Sequence, residues 1–348
     1  MMCQNYDEWL SCDLEELSFC PVCNSTIFIV VYKNLSDRLF YSAPGLWNIC
    51  SCCSCGVYFL NSRPIEQSIS RAYSKYYTHS VPKRLSCDEI SFVRKIVRSL
   101  ANSYRNKRFG SKLQPELRYG WVIIRCVPML SHLLDVELRY LPRIQTDGLL
   151  LDVGFGSGDF LHLARGLGWT VFGTDIDDVA VKSALNRGLD VRCGAIDVYC
   201  GEENKFDVIT MNHVIEHVYN PIRDLSIAYE LLKPGGCLII ETPNIDSIGH
   251  KEFARNWMDL DPPRHLILYN WKSLETILYK SGFRHIERKP SYFSYLNRAS
   301  ASRSISTGND PFLNSDVAVF DYFKTAIASV KIYFDYNCSE FVTILAYK

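Results

Sequence analysis

The sequence lacks most of the marks of a specialised environment. Its 38 Lys+Arg balance 38 Asp+Glu, leaving no formal net charge. That balance argues against a strongly basic nucleic-acid binder or a polybasic membrane anchor. No apolar run approaches the roughly 18 residues that a membrane span needs. The opening MMCQNYDEWLSCDLEEL is acidic, without the basic and then apolar pattern of a secretory leader, so a cytoplasmic setting is expected. Internal repeats and low-complexity tracts are missing as well. What remains is 348 residues, 47% hydrophobic and 22% charged. That is an ordinary globular composition, enough for one large domain or two average ones. Against this plain background, 14 cysteines are an excess. In a reducing compartment they point to metal, redox chemistry or core filling rather than to disulfides.

Six of the cysteines fall between positions 20 and 55. Cys20-Pro-Val-Cys23 and Cys52-Cys53-Ser-Cys55 are two C-x-x-C knuckles, each able to aim two thiolates at one ion; together they predict a closed, structural zinc site. The 28 residues between them contain STIFIVVY, strand-like text sufficient for a hairpin. Cys50 and Cys53 offer a competing register; Gly56, directly after Cys55, favours Cys52/Cys55 because a tight knuckle turn often needs glycine. The alternative is a set of reduced cysteines with no metal. Of the rest, Cys126, Cys193, Cys200, Cys237 and Cys338 adjoin apolar text and read as small hydrophobes.

Past Pro64 comes a tyrosine-rich stretch, SISRAYSKYYTHS, and then helical periodicity over 88–108 and 114–143, interrupted by Pro128. Eight Lys/Arg between Lys83 and Arg108 face only Asp88 and Glu89, a pattern read as a solvated helix face ahead of a phosphate site.

At 148 the text changes again. GLLLDV is an apolar run suited to a buried parallel strand, and it leads into Gly154-Phe-Gly156-Ser-Gly158-Asp159 and the helical FLHLARGLG. A second strand, TVFGTD, ends in acids at Asp175 and Asp177. Strand, glycine loop, helix, strand and acid make a βαβ nucleotide unit. Asp175 lies 23 residues after Asp152, near the offset of a ribose-binding acid. Carboxylates flanking the loop, Asp152 and Asp159, would repel a pyrophosphate. They suit S-adenosylmethionine, with its ammonium, sulfonium and ribose. Asp159 has a second reading as a helix cap.

LLDVGFGSGDF, VFGTDID, KFDVITMNHVIEHV and LLKPGGCLIIETPN, in this order over about 148–290, resemble a class I S-adenosylmethionine-dependent methyltransferase. DPPRHLILYNWKSLETILYKSGF is similar to the segment that follows TPN in the ubiquinone-type branch. CPVC and CCSCGVYFLNSRP resemble the zinc-ribbon-like segment preceding small-molecule methyltransferases of polysaccharide and secondary-metabolite pathways. The resemblance implies an α/β fold, a doubly wound seven-stranded Rossmann-like sheet, with SEFVTILAYK as its final reversed strand. The expected organisation is a zinc-ribbon-like module over 1–65, a helical connector over 66–147 and a methyltransferase domain over 148–348. A lid-like insertion is expected at about 294–333. Carried over position by position, Asp152, Gly154, Gly156 and Gly158 would hold the methionine part of the cofactor. Asp175 would take the ribose hydroxyls, Ile176, Ala195 and Ile196 would line the adenine, and Asp197 could accept from its amino group. Asn212 and His213 close the fourth strand, on the acceptor side.

His213-Val-Ile-Glu216-His217 could converge on one helix face, and His265, after Asp261-Pro-Pro-Arg264, could join it. Three uses stay open: a general base taking a hydroxyl proton, a divalent metal site, with magnesium as its expected ion, or a structural loop. An inverted zinc-protease motif is set aside, because Pro221 should break the helix and the motif follows a buried strand. The expected activity is SN2 methylation of a small-molecule oxygen, a sugar or related metabolite first. The alternatives are metal-dependent methylation of a quinone-like ring or an RNA 3′ end, and a non-catalytic zinc- and nucleotide-binding scaffold. The neutral charge argues against a nucleic-acid acceptor.

Overall fold

The computed structural model describes residues 9–73, 92–144, 147–312, 317 and 319–348. Most of the tyrosine-rich stretch, and Lys83, Arg84, Asp88 and Glu89 of the basic segment, lie outside the described residues. The strands are β1 (Leu14–Glu15), β2 (Phe28–Leu35), β3 (Trp47–Cys52), β4 (Tyr58–Leu60), β5 (Arg63–Pro64), β6 (Leu149–Val153) and β7 (Thr170–Asp175). They continue with β8 (Asp190–Cys193), β9 (Phe206–Asn212), β10 (Leu232–Pro243), β11 (Ile267–Leu268), β12 (His285–Lys289) and β13 (Phe341–Tyr347). The helices are α1 (Phe92–Phe109), α2 (Gly120–Arg125), α3 (Pro128–Glu137), α4 (Asp159–Gly166) and α5 (Asp178–Asn186). After them come α6 (Pro221–Leu231), α7 (Ile248–Phe253), α8 (Trp271–Lys280), α9 (Tyr295–Ser306) and α10 (Val319–Phe334).

Seven strands form one sheet in the order β12-β13-β10-β9-β6-β7-β8. β6 pairs in parallel with β7 and β9, and β7 with β8. That order reverses direction at β6, the place where a doubly wound sheet opens a crevice at its strand ends. Leu150 and Leu151 on β6 and Ile209 on β9 are wholly buried, as the continuous apolar runs required. The C-terminal SEFVTILAYK supplies β13, which lies between β12 and β10 in the sheet.

Two compact units are distinguished along the chain. One comprises Met1–Tyr77, His213–Ser226 and Ile240–Ile344; the other comprises Thr78–Asn212, Ile227–Ile239 and Leu345–Lys348. In the first, β2, β3 and β4 form an antiparallel sheet completed by β11, in the order β11-β4-β3-β2. In the second, the helical text over 114–143 resolves into two helices. Pro128 is the first residue of α3 rather than a kink within one helix, because its missing N–H and fixed φ suit a helix start. Arg94, Lys95 and Arg98 stand exposed on α1. Core filling by the isolated cysteines is corrected by exposure: Cys237 is buried, but Cys126, Cys193 and Cys200 are exposed.

Candidate functional site

The glycine loop leaves β6 and turns into α4 through three left-handed residues, Gly154 (φ 67°), Gly156 (φ 55°) and Gly158 (φ 74°). A Cβ on Gly156 would meet nothing within 4 Å, so backbone is exposed to open space where a ligand can approach it. Gly156 N–H donates to Asp175 Oδ2 at 2.8 Å, and Asp177 N–H donates to Asp175 Oδ1 at 3.0 Å. Each carboxylate oxygen keeps a further lone pair for a ribose hydroxyl. Burial raises the Asp175 carboxyl above its ordinary value, against these two hydrogen bonds. Ile176 is 68% exposed and Ala195 is exposed, while Ile196 is buried in the core. Asn212, half-buried, ends β9.

Asp152 is fully buried and its Oδ1 accepts from Arg139 and, at 2.7 Å, from Thr210 Oγ1. Asp159 is not the helix cap, a position held by Gly158; it pairs with Arg187 at 3.0 Å. Both carboxylates flanking the loop therefore have guanidinium partners. Asp152 Oδ2 nevertheless remains buried without a hydrogen-bond partner, an acceptor that a bound donor could satisfy. Arg139 was invisible in the sequence, since nothing in LRYLPR marks a residue whose guanidinium lies 3.8 Å from the Phe160 ring centre and reaches Asp152.

The histidine cluster belongs to the first unit and is not built on an α-helix. His213 adopts φ 55°, Ile215–His217 is a single 3₁₀ turn, and Pro221 begins α6 instead of ending a helix. The i, i+3 pair still meets: His213 Nδ1 lies 3.3 Å from Glu216 Oε1. Thr242 Oγ1 donates to Glu216 Oε2 at 2.9 Å. Burial alone would raise the Glu216 carboxyl, but the hydrogen bond with His213 and the neighbouring imidazoles bring it down to about 2. Burial would lower His213, yet Glu216 outweighs it and the imidazole is raised.

His265 joins because Leu266 N–H donates to the Glu216 carbonyl at 2.8 Å. Its ring centre lies 4.9 Å from that of His217. His217 Nδ1 donates to the Arg264 carbonyl at 2.9 Å, and His265 Nδ1 donates to the Asp259 carbonyl at 2.6 Å. In its neutral form each ring therefore carries its proton on Nδ1 and presents Nε2 as the acceptor. Burial and the nearby His265 lower His217 to about 4. Ligand atoms of Glu216, His217 and His265 all lie within 4.8 Å of one another, a group that could hold a metal ion. His213 is not part of that group. Two imidazoles and one carboxylate are the donor set of manganese, iron or zinc, whereas magnesium takes oxygen ligands. Magnesium in particular has no support at this group.

The turn carrying His265 is fastened by Arg264, wholly buried. Its Nη1 donates to Asp37 Oδ2, Ser42 Oγ and the Ala72 carbonyl at 3.0, 3.1 and 3.0 Å. Its Nε donates to Asp261 Oδ2 at 3.0 Å, and its Nη2 to Asp37 Oδ1 at 2.6 Å. Beside this turn is a small cleft open to solvent, with Arg38, Arg255, Trp257 and Asp261 in its wall. Burial and the charge of Arg255 lower Arg38.

Also in the first unit, the sulfurs of Cys20, Cys23, Cys52 and Cys55 lie within 4.8 Å of one another. Cys20–Cys55 are 3.6 Å apart and Cys23–Cys52 3.5 Å, against about 3.8 Å between sulfurs around a tetrahedral zinc at 2.3 Å. The knuckles match each other: Asn24 N–H donates to the Cys20 carbonyl and Gly56 N–H to the Cys52 carbonyl, both at 2.9 Å. Asn24 (φ 61°) and Gly56 (φ 75°) are both left-handed. A hydrogen bond from Cys55 lowers the Cys20 thiol to about 5. Cys50 and Cys53 are outside the group.

A family model described as a methyltransferase domain matches residues 129–288. Two proteins named ubiquinone biosynthesis O-methyltransferase are similar. The one from Brucella anthropi is 32% identical over 41% of this chain and 62% of its own length. The one from Cereibacter sphaeroides is 31% identical over 45% of this chain and 68% of its own. The chain thus spans about three fifths to two thirds of the length of the curated relatives it matches. A solved S-adenosylmethionine-dependent methyltransferase from Archaeoglobus fulgidus is similar over 62% of this chain and 93% of its own, at 21% identity and a TM-score of 0.43. The glycine turn facing Asp175 lies within the matched stretch, and on the sequence relatives the chain belongs to the S-adenosylmethionine-dependent methyltransferase family.

Proposed function

We propose that the chain binds S-adenosylmethionine at the Gly154–Gly158 loop and Asp175, and transfers its methyl group to a hydroxyl of a small molecule. The observation that carries the reading is the Gly156–Asp175 hydrogen bond, which holds a carboxylate against exposed glycine backbone. When bound, the cofactor supplies an electrophilic methyl on a positive sulfonium. His213 is the proposed base. Glu216 accepts the Nδ1 proton, leaving Nε2 to take the proton of the acceptor hydroxyl. The carboxylate steadies the imidazolium that results, as an orienting acid does in a triad. Much of the remaining acceleration comes from positioning.

A sugar or related metabolite is the preferred acceptor class. A quinone-like ring, the acceptor suggested by the names of the relatives, is the alternative.

A second reading is favoured by the two fixed Nδ1–H tautomers. Glu216, His217 and His265 would hold a divalent ion, which supplies acidification of a hydroxyl. At the cysteines we propose one structural zinc, held by Cys20, Cys23, Cys52 and Cys55 with no open coordination position.

The test is incubation of metabolite extracts with the protein and isotopically labelled S-adenosylmethionine, followed by mass spectrometry. A labelled small molecule that disappears with His213→Ala supports the reading. No labelled species from any extract, with folded and cofactor-bound protein, contradicts it and favours a non-catalytic scaffold. Activity abolished by EDTA and restored by manganese selects the metal reading.

A further inference from the structure

Helix α10 is turned the wrong way for a monomer. It buries Asp321, Thr325, Ala328, Ser329 and Ile332, a largely small and polar face. Asp321 pairs there with Arg303 of α9, and Ala328 packs in a cluster with Tyr295 and Ala299. Outward it shows Phe320, Phe323, Ile327, Val330 and Phe334, the phenylalanines 60, 62 and 82% exposed. Tyr322 and Tyr333 flank them and are at least half exposed. The five rings alone present about 600 Å², taking ~200 Å² for an aromatic side chain. With Ile327 and Val330 the patch nears the ~800 Å² that each partner contributes to a standard interface. It exceeds what solvated monomers ordinarily leave bare.

We propose that α10 is the interface of a homodimer, laid against α10 of a second copy of this chain. The spacing of the outward residues selects the occupant. Positions 320, 323, 327, 330 and 334 advance by three and four residues alternately, the narrow seam by which one helix reads another. A lipid surface asks only for a broad apolar face and sets no such register. Identical seams are self-complementary about a two-fold axis, so the pairing closes at two copies.

The charges choose the direction. With Phe320, Ile327 and Phe334 at the first core position of the heptad, Lys324 and Lys331 both fall on one edge of the seam, and Ala326 and Tyr333 on the other. Parallel helices set one edge against the other and keep lysine away from lysine. Antiparallel helices would bring lysine onto lysine. Lys324 is in any case occupied by Glu252.

The experiment is light scattering on the full chain across a micromolar dilution series. The parent should be a dimer. Phe323→Ser with Ile327→Ser should raise the dimer dissociation constant by ~100-fold or more, as removal of central apolar anchors does. Phe323→Leu with Ile327→Leu should remain dimeric. Circular dichroism and cooperative urea unfolding confirm that each variant is folded. A monomeric parent would overturn the proposal, as would a double-serine variant that dimerises as the parent does. So would a parent that stays monomeric and sediments with phosphatidylcholine–phosphatidylglycerol vesicles.

Discussion

Asp175 and Glu216 are both buried acids, yet their surroundings set them different tasks. Asp175 has two backbone N–H donors and no salt-bridge cation among the described residues, which leaves its charge for a ligand. On the proposed reading, its replacement by alanine would remove charge-assisted hydrogen bonds to both ribose hydroxyls. S-adenosylmethionine binding should weaken by ~10²–10⁴-fold, at about 1.5–3 kcal/mol for each of the two bonds. Calorimetric titration reads this directly. Glu216 instead holds His213 above its ordinary value. A base works only when neutral, so kcat/KM should rise with pH through the raised His213 titration. Glu216→Gln removes the negative neighbour, and the ascending limb should move to lower pH while activity falls. A pH–rate profile with no shift would separate the two residues functionally.

The elements differ in how much of them the sequence could announce. Two C-x-x-C pairs have a mechanism tied to their spacing, and Gly56 indicated the register that the structure brings together. The first knuckle carried no such mark, because Asn24 reaches the left-handed region less often than glycine but can do so. Elemental analysis should find about one zinc per chain. Cys52→Ser should lose it, while Cys53→Ser, at an exposed sulfur outside the group, should keep it. The βαβ unit was equally legible, since apolar runs, glycines and terminal acids are local signals. Arg264 was not, because its partners Asp37 and Ser42 lie more than 200 residues away and no local pattern encodes such a contact. His213–His217 misled for a related reason. The residue types suited a helix, but the left-handed turn at His213 is imposed by the backbone leaving β9.

Arg264 gives this level its stability prediction. Removing it by Arg264→Ala leaves two buried carboxylates unpaired and should cost about 3–5 kcal/mol in urea unfolding. Burial opposes ionisation of Asp37, but Arg264 holds the carboxyl well below the usual carboxylate range. A depressed carboxyl contributes fully above its unfolded value of about 4 and loses that contribution as pH falls towards its folded value. Through this group, urea midpoints should hold from neutral pH down to about pH 5 and fall as the pH drops below about 4 in the parent, and less steeply in Asp37→Asn.

Across the whole molecule, one seven-stranded sheet runs through a chain whose two compact units carry different chemistry. The glycine loop and Asp175 belong to one, the histidine cluster and the cysteines to the other. Asn212 and His213 are adjacent residues on opposite sides of that division. Zero net charge remains in keeping with a small acceptor, with a local exception at Arg38 and Arg255. No helix among the described residues is long and apolar enough to cross a membrane. The exposed apolar face of α10 is the surface that the proposed dimer would cover.

Everything proposed for the reaction depends on the cofactor, so the decisive measurement is calorimetric titration of the folded 348-residue chain with S-adenosylmethionine. One saturable site per chain is expected, lost or strongly weakened in Asp175→Ala with the fold intact. No binding heat at any concentration by the folded parent, or equal binding by the variant, would contradict it.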